Sequence, residues 1–284
     1  MRFVTYHTGD NAPRLGRLDG ELIHPLAGQL VDLIAATPDD AAAATPIGEA
    51  FPRAGATLLA PIPHPARNIF CVGKNYHEHA EEFHRSGFDA SAGKDAIPEF
   101  PIIFTKASTT VIATGEAIPS MLDPTNSVDY EGELAVVIGP GGRGISRSDA
   151  MQHVFGYTIV NDVTSRMLQS RHKQWFIGKN LDGFCPMGPI VVTADEVPDP
   201  GSLRLQTFVN GEARQDTYVR QLIFDIPSLI EILSATMTLM PGDIIATGTC
   251  AGVGIGFDPP RFLHKGDSVR VEISGIGFIE NPVD

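Results

Sequence analysis

The sequence predicts an α+β protein in which a small N-terminal unit precedes a larger, strand-rich unit. Short β-branched apolar runs bounded by Gly and Pro recur along the 284 residues, as in 69–72 and 155–160, and such runs are typical of buried strands. An apolar face with helical spacing is found in few segments, such as 226–233. The Pro-rich stretch 61–65 is stiff, because each proline fixes its own φ and restricts the residue before it. We therefore predict two domains, 1–65 and 66–284.

Residues 1–65 are predicted to form a small α/β domain. Val4 and Tyr6 lie in an opening strand, and the Asp-Gly pair at 19–20 joins two further strands as a hairpin. A short helix follows, marked by an apolar face of Leu30 and Ile34 with Leu33 beside them. These residues form no catalytic arrangement.

The larger unit is organised around residues 129–133, Asp-Tyr-Glu-Gly-Glu, which lead into the apolar run 134–139. Because successive side chains of a strand alternate between its two faces, Glu131 and Glu133 point the same way. Two carboxylates buried together without partners would be very costly, and a divalent cation removes that cost by making them ligands. The alternative on these residues alone is a strand end with both carboxylates in water.

A third acidic residue favours the metal site. The apolar run 155–160 is predicted to be a strand that ends in Asn161-Asp162, and sites built on strands usually open at their carboxyl ends. Glu131, Glu133 and Asp162 are an all-oxygen ligand set, which suits Mg²⁺, Mn²⁺ or Ca²⁺ better than Zn²⁺. Three protein ligands on an octahedral ion leave positions for water and for a chelating substrate.

A polar helix is predicted from Tyr76, and its His79 and Glu82 lie three residues apart on one face. A carboxylate on one imidazole nitrogen orients the ring and raises its basicity, so the other nitrogen can take a proton from water. The alternative is a solvated helix rich in His and Glu. The polar segment 85–96 that follows is a candidate mobile lid.

Three basic residues are candidates for the same site. Lys106 ends a predicted strand and would lie beside the carboxylates if both strands open on one site. Arg166 is one turn beyond Asp162, where it either binds a substrate carboxylate bidentately or pairs with a structural acid. Lys179 lies in the Gly- and Pro-rich stretch 174–189, which we interpret as a surface loop. There it either holds a substrate oxygen or is solvated.

The Gly-rich stretch 247–256 follows a predicted strand but does not bind nucleotides. It lacks the Lys of a phosphate-binding loop and leads into Asp258-Pro259-Pro260 instead of a helix. Thr249 and the neighbouring amides are placed to polarise a substrate oxygen instead.

Composition limits the partners and the compartment. The net charge of −13 argues against nucleic acid or an anionic membrane as a partner, and an anionic substrate then needs a locally positive pocket. The widely spaced Cys71, Cys185 and Cys250 are expected to be buried thiols of a reducing compartment. The sequence shows no signal-peptide core and no apolar run that would span a membrane, so we expect a cytoplasmic protein.

Taken together, the motifs of residues 66–284 resemble those of the fumarylacetoacetate hydrolase family, in the family's order. These motifs are Gly73-Lys74-Asn75-Tyr76 with His79, Asp129-Tyr130-Glu131-Gly132-Glu133-Leu134, Asn161-Asp162, Pro241-Gly242-Asp243-Ile244-Ile245 and Thr247-Gly248-Thr249. The resemblance implies a mixed β-roll or β-sandwich core, a homodimer and a bound Mg²⁺ or Mn²⁺. Residues 1–65 resemble the small N-terminal domain that many members carry.

The resemblance also implies residue roles. Residues matching Glu131, Glu133 and Asp162 bind the metal in the family. Those matching His79 and Glu82 form the dyad that activates water, and the one matching Lys179 assists at the substrate. Positions that line the family's pocket match Lys106, Arg166, Gln169 and Thr249. One departure is Cys250, where many members have Pro, and it bears on the rigidity of the loop beside Thr249.

The resulting hypothesis is metal-dependent cleavage of a carbon–carbon bond in a small 2-oxo acid or 1,3-dicarbonyl acid. The ion acts as a Lewis acid for the enolate, and His79, held by Glu82, deprotonates the attacking water. Decarboxylation of the oxaloacetate type and isomerisation of the 2-hydroxyhepta-2,4-diene-1,7-dioate type share this enolate and stay open. A non-catalytic binding protein on the same fold is the alternative of another class, and the intact set of candidate site residues argues against it.

Overall fold

The computed structural model describes residues 1–10, 12–35, 45–89 and 96–284. Its strands are β1 Arg2–His7, β2 Arg14–Asp19, β3 Leu22–Leu26, β4 Phe51–Pro52, β5 Thr57–Leu59, β6 Ile69–Gly73, β7 Ile102–Lys106, β8 Val111–Ile112, β9 Val128–Asp129, β10 Gly132–Ile138, β11 Val154–Asn161, β12 Thr164–Ser165, β13 Cys185–Thr193, β14 Arg204–Val209, β15 Glu212–Tyr218, β16 Ile244–Ala246, β17 Ser268–Ile273 and β18 Gly277–Pro282. Its α-helices are α1 Leu30–Ala35, α2 His77–Arg85, α3 Arg166–His172, α4 Phe176–Lys179 and α5 Ile226–Thr236. Strands dominate and helices are short, so the predicted α+β class is confirmed.

The largest sheet of the described residues contains 12 strands in the main order β4-β3-β2-β1-β13-β11-β10-β16-β6-β7. The pair β16–β6 is parallel and its neighbours β10–β16 and β6–β7 are antiparallel, so the sheet is mixed as predicted. β1 pairs with β13, with Phe3 opposite Val191. The sheet therefore continues from the N-terminal unit into the larger unit, and the boundary at residue 65 stays a prediction.

A second sheet, of order β15-β14-β17-β18, covers one face of the first. Every residue of β10 is buried. Its side chains alternate between two apolar clusters: Leu134 and Val136 pack with Val271 and Ile273 of β17 in one, and Ala135 packs in the other. The two sheets thus enclose a sandwich core, and β10 runs through its centre.

The stretch 174–189 is not the surface loop that its Gly and Pro content predicted. Its first half contains α4, and its second half opens β13, a fully buried strand between β1 and β11. Pro lacks an amide donor and is tolerated in a sheet where pairing is irregular. The register between β13 and β11 shifts between Tyr157 and Ile159, beside Gly188 and Pro189, which explains the difference.

The helix α3 begins at Arg166, because the preceding Thr164 and Ser165 pair with β9. In the described ranges, no helix combines the length and the apolar character needed to cross a membrane.

Candidate active site

Three acidic side chains converge where β10 begins and β11 ends. These strands pair antiparallel with Gly132 opposite Asn161. The residues that flank this pair therefore meet where the two strands end. Carboxylate oxygens of Glu131, Glu133 and Asp162 lie within 4.8 Å of one another, and all three residues are buried. The structure therefore brings together the three predicted metal ligands.

Main-chain contacts fix this acidic triad. The side-chain oxygen of Asn161 accepts a hydrogen bond from the Glu131 amide at 2.9 Å, and the Asp162 amide donates to the Glu131 carbonyl at 2.8 Å. A Cβ on Gly132 would lie 2.4 Å from Thr207 Oγ1 of the second sheet. Glycine at position 132 is thus required for the close approach of the two sheets beside the triad.

Two buried lysines neutralise part of the negative charge. Lys179 Nζ lies 2.8 Å from Glu131 Oε2 and 2.7 Å from Asp162 Oδ2. Lys106 Nζ lies 2.8 Å from Asp162 Oδ1 and donates to the Val163 carbonyl at 3.0 Å. Lys106 is 1% exposed, so the structure places it against a predicted metal ligand, and its substrate contact stays a prediction. Lys179 is buried instead of solvated.

Arg166 connects the triad to a neighbouring loop. Its Nη1 lies 2.6 Å from Glu131 Oε1, and its Nε donates to Asp129 Oδ2 at 2.9 Å. The Asp129 carboxylate also accepts hydrogen bonds from the amides of Gly254 at 2.6 Å and Ile255 at 3.1 Å. Arg166 thus pairs with a structural acid, Asp129, as one alternative supposed, and it also lines the cavity described below, which the other alternative requires.

The two glutamates have opposite pKa shifts. Burial raises the pKa of Glu131, but the charges of Lys179 and Arg166 outweigh burial and hold that pKa at about 2. Burial raises the pKa of Glu133 well above its ordinary value, and repulsion from Asp162 and Glu131 raises it further. Glu133 is therefore the carboxylate whose charge is least compensated by the protein.

The donor set fits a divalent cation. Asp162 Oδ1 is buried and, although it lies at ion-pair distance from Lys106, it has no hydrogen-bond partner among the described residues. A doubly charged ion among the three carboxylates would engage this oxygen and offset the repulsion at Glu133. Carboxylate oxygens are hard ligands and suit Mg²⁺ or Mn²⁺. The triad supports a divalent metal cofactor, and the choice of metal stays a prediction.

The predicted dyad is present on α2. His79 Nδ1 lies 3.2 Å from Glu82 Oε2, and both side chains are largely buried. Glu82 Oε1 accepts a hydrogen bond from the Gly252 amide at 3.0 Å, and a Cβ on Gly256 would lie 1.8 Å from the same oxygen. The 252–256 loop therefore fixes the Glu82 carboxylate against His79. The role of the pair in activating water stays a prediction.

Part of this constellation lines one narrow cavity, which the surrounding side chains largely fill. Its lining residues are Val72, Gly73, Lys74, His79, Phe83, Phe104, Glu131, Arg166, Gln169, Trp175, Lys179 and Thr249. Three of the four predicted substrate-binding residues are among them, together with one predicted metal ligand and two residues of the predicted catalytic set. The cavity is therefore the site that the sequence analysis assembled.

Thr249 is held from the second sheet. Its hydroxyl donates to the Gly132 carbonyl at 3.0 Å and accepts from Gln215 Nε2 at 2.7 Å. Gln215 also donates to the Cys250 carbonyl at 2.8 Å and accepts from the Gly132 amide at 3.0 Å. Because Gln215 ties the loop to β10, Cys250 in place of Pro leaves the loop anchored. The Gly248 amide donates to Glu133 Oε2 at 2.8 Å, so this amide serves the triad.

Asp129 and Gln215 are two residues of the site whose roles were not predicted from the sequence. Gln215 is 1% exposed between more accessible neighbours on β15, and a polar residue at an inward position of an alternating strand was the available signal. Asp129 stood inside the acidic motif, but its partner Arg166 is 37 residues further along the chain, so only the fold shows the pair.

Of the candidate lid 85–96, residues 90–95 lie outside the described residues. Arg85 ends α2. Phe88 packs against Phe262 with ring centroids 6.3 Å apart, and Asp89 Oδ2 lies 2.8 Å from Lys74 Nζ. The first part of the segment is thus docked beside the cavity.

Comparison with known proteins defines the class. Residues 68–284 match the family model described as "Fumarylacetoacetate (FAA) hydrolase C-terminal", and residues 1–61 match "Rv2993c-like, N-terminal". The solved fumarylacetoacetate hydrolase (EaFAH) from psychrophilic Exiguobacterium antarcticum is 38% identical with a TM-score of 0.83, covering 100% of this chain and 99% of that one. The solved 5-carboxymethyl-2-hydroxymuconate delta-isomerase from Mycobacterium smegmatis is 34% identical with a TM-score of 0.79, covering 100% and 99%.

The chain belongs to the fumarylacetoacetate hydrolase family, so the family and the fold that the motifs predicted are confirmed. Among its relatives is the oxaloacetate tautomerase YisK of Bacillus subtilis (strain 168), which is 53% identical over 226 residues, or 80% of this chain and 72% of that protein. Membership in a family of hydrolases, isomerases and tautomerases supports an enzyme over a non-catalytic binding protein.

Proposed function

We propose that this chain interconverts the keto and enol forms of a small 2-oxo diacid of the oxaloacetate type, with a divalent metal ion as cofactor. The observation that carries the proposal is that a buried carboxylate triad, the cations Arg166 and Lys179 and a His–Glu pair lie together at one narrow cavity, whose lining includes Glu131 and His79. A relative named oxaloacetate tautomerase at 53% identity favours tautomerisation within the chemistry that this site permits.

The residues divide between the metal and the substrate. A divalent ion held by Glu131, Glu133 and Asp162 would supply Lewis-acid stabilisation of an enolate. Arg166 lines the cavity, and its planar fork suits the substrate's carboxylate. Lys179 also lines the cavity and is placed to stabilise negative charge on the 2-oxo oxygen.

Three further residues are assigned to positioning or substrate contact. Gln169 accepts a hydrogen bond from Arg166 Nη1 at 3.2 Å and fixes the orientation of the guanidinium. Thr249 lines the cavity, and because its hydroxyl proton is donated to the Gly132 carbonyl, we assign its side chain to shaping the substrate pocket. We assign Lys106, which contacts Asp162, to positioning that ligand.

His79 is assigned to proton transfer. Because Nδ1 faces Glu82, Nε2 is the ring nitrogen that we assign to taking a proton from the carbon next to the 2-oxo group. The enolate oxygen then takes up a proton, so the enol product has the same number of protons as the keto substrate. The reaction therefore needs no water and breaks no carbon–carbon bond. Glu82 stabilises the imidazolium that forms between the two steps.

Carbon–carbon bond cleavage is the second candidate, and the His79–Glu82 pair is the observation that favours it. A base held in this way deprotonates water for attack on the distal carbonyl of an acylpyruvate, and the carbon–carbon bond then breaks with the electron pair passing to the enolate. Decarboxylation of a 2-oxo diacid forms the same enolate without a base. The three reactions therefore differ in their need for His79.

The test is a panel of oxaloacetate enol, an acylpyruvate and a 2-oxo diacid, each assayed with Mg²⁺, with Mn²⁺ and with a chelator. We expect metal-dependent decay of the enol absorbance, and we expect His79→Ala to stop tautomerisation and hydrolysis while leaving decarboxylation. Glu131→Gln should remove all metal-dependent turnover, and Glu21→Gln on an exposed turn is the matched control. Enol decay at the uncatalysed rate with either metal would refute the tautomerase assignment.

We also propose that the protein acts as a homodimer on a small anionic 2-oxo acid. Both proposals rest on family membership. Sedimentation equilibrium tests the dimer, and a concentration-independent monomer mass would refute it.

A further inference from the structure

The cavity lining includes a third basic residue, which does not pair with the acidic triad. This lining includes Lys74, Arg166 and Lys179. Arg166 and Lys179 both contact Glu131, so they belong to the metal end. Lys74 Nζ instead lies 2.8 Å from Asp89 Oδ2, and the two side chains are only 3% and 7% exposed.

The main chain at Lys74 has an unusual conformation, and close packing against the segment that contains Trp175 holds it in place. Lys74 has a φ of 56° and Trp175 a φ of 41°, in a region that side chains other than Gly seldom adopt. A Cβ on Gly73 would lie 2.2 Å from the Trp175 ring, so the two segments are packed in direct contact. Such backbone strain persists where the surroundings hold it and is concentrated at functional sites.

A buried lysine requires an anionic partner. In this structure the partner is Asp89, which lies on the segment after α2. That segment turns at Gly87, where φ is 80°, and is docked separately by Phe88, which packs on Phe262. The same Asp89 oxygen also lies 3.5 Å from His84 Nδ1, and the Phe88 contact holds the main chain independently of the Lys74 ion pair.

We propose that Lys74 binds the distal carboxylate of a diacid substrate and that Asp89 occupies this position until the diacid displaces it. The inference rests on the proposed function in one respect, namely that the 2-oxo acid end of the substrate lies at the triad. The other end of a diacid then needs a cation on the remaining cavity wall, and Lys74 is a cation of the cavity that is not paired with the triad. Lys74 thus determines specificity for diacids over monoacids.

Binding of malate and lactate in the presence of Mg²⁺ isolates this contact. The two share a 2-hydroxy acid head, and malate alone carries the distal carboxylate. We expect calorimetry to show malate binding tighter than lactate, by less than the about 10- to 100-fold that a hydrogen bond to a charged group supplies, because malate must displace Asp89. Lys74→Met should remove this preference and leave lactate unchanged. Asp89→Asn should increase the affinity for malate several-fold, because it removes the competing charge. The affinity for lactate should not change in this variant.

Opposite effects of the two variants separate the proposal from a merely structural ion pair. If Lys74 and Asp89 only hold the segment in place, both variants will weaken both ligands alike, and the proposal is overturned. Equal affinity of the native protein for malate and lactate also overturns it. If Lys74→Met does not fold, Asp89→Asn decides alone, because tighter malate binding supports the proposal and unchanged or weaker binding overturns it.

Lys265→Met, on an exposed loop, is the matched control and should bind both ligands like the native protein. Failure of the proposed function gives a different result. Absence of oxaloacetate turnover with the malate preference intact and sensitive to Lys74→Met would refute the tautomerase but support the role of Lys74.

Discussion

Gly256→Ala is expected to disable proton transfer while leaving the fold and the metal site intact. A Cβ at position 256 would lie 1.8 Å from Glu82 Oε1 and 2.3 Å from its Cδ, distances that no two nonbonded atoms keep. Gly256 ends a 3₁₀ turn, and its φ is outside the left-handed region, so alanine adds no backbone strain. The Glu82 carboxylate, the far end of a flexible side chain, must move.

The size of the effect follows from the contacts that Glu82 then loses. It would release His79 Nδ1, now at 3.2 Å, and the Gly252 amide, now at 3.0 Å. Two hydrogen bonds at about 1 kcal/mol each give a loss of roughly 2 kcal/mol in the free energy of unfolding. A positioned general base contributes about 10²- to 10⁴-fold to the rate, so we expect kcat to fall by at least about 10²-fold.

The assays are kcat and KM for oxaloacetate enol and for an acylpyruvate, Mg²⁺ affinity by calorimetry, and urea denaturation. Glu131, Glu133 and Asp162 are not displaced by the new Cβ, so metal affinity and KM should stay close to native. Gly55→Ala is the matched control, because its Cβ would meet the Phe51 ring at an ordinary 3.8 Å. Native kcat in Gly256→Ala would refute the role of Glu82, and lost Mg²⁺ affinity would show that the change acts elsewhere.

Three further predictions concern stability. Mg²⁺ at 100 times its Kd should raise the free energy of unfolding by about 2.7 kcal/mol, because it offsets the repulsion that raises the pKa of Glu133. In Glu133→Gln most of this gain should be lost, as measured by urea denaturation with and without chelator. An equal gain in that variant would contradict a metal site that includes Glu133. Gly73→Ala should destabilise the fold by about 1–3 kcal/mol through overpacking and shift the emission of Trp175, the only tryptophan; an unchanged spectrum at native stability would contradict the packing. Burial raises the pKa of Cys250 from 9.0 to about 12. The contribution of this thiol to the free energy of unfolding is therefore constant below pH 9 and is lost as the pH rises from 9 towards 12. Between pH 8 and pH 10 the native protein should lose about 1.4 kcal/mol more than Cys250→Ala, and equal losses would show that the thiol titrates normally.

Rules that use short stretches of sequence correctly predicted the first hairpin and the convergence of the acidic triad. The predicted hairpin of β2 and β3 is present, and its two-residue turn is Gly20-Glu21, in which Gly20 has a φ of 55°, because such turns need a residue that tolerates a positive φ. The convergence of Glu131, Glu133 and Asp162 followed from side-chain alternation and from the ends of two apolar runs. The hairpin depends only on neighbours in sequence, and the triad depends in addition on two strand ends lying at one site.

Long-range pairing decided what the sequence analysis missed. Composition alone identified 185–189 as a loop, but pairing with β1 and β11 makes this segment a central strand. The charge of Lys179 gave no indication of burial, yet the chain buries it against Glu131 and Asp162. In each case the free energy comes from a partner that is distant in sequence, so no local pattern reports it.

Neutral or small residues set the geometry of the charged ones here. Asn161 fixes the Glu131 main chain, Gln215 anchors the Thr249 loop, and Gly256 leaves room for the Glu82 carboxylate. A metal ligand or a base acts only when it is held within a fraction of an ångström of its productive position. Motif reading finds charged residues because their chemistry is distinctive, and it passes over amides and glycines because their contribution depends on the atoms that the fold brings beside them. The site is therefore specified as much by these contacts as by the residues that would perform the reaction.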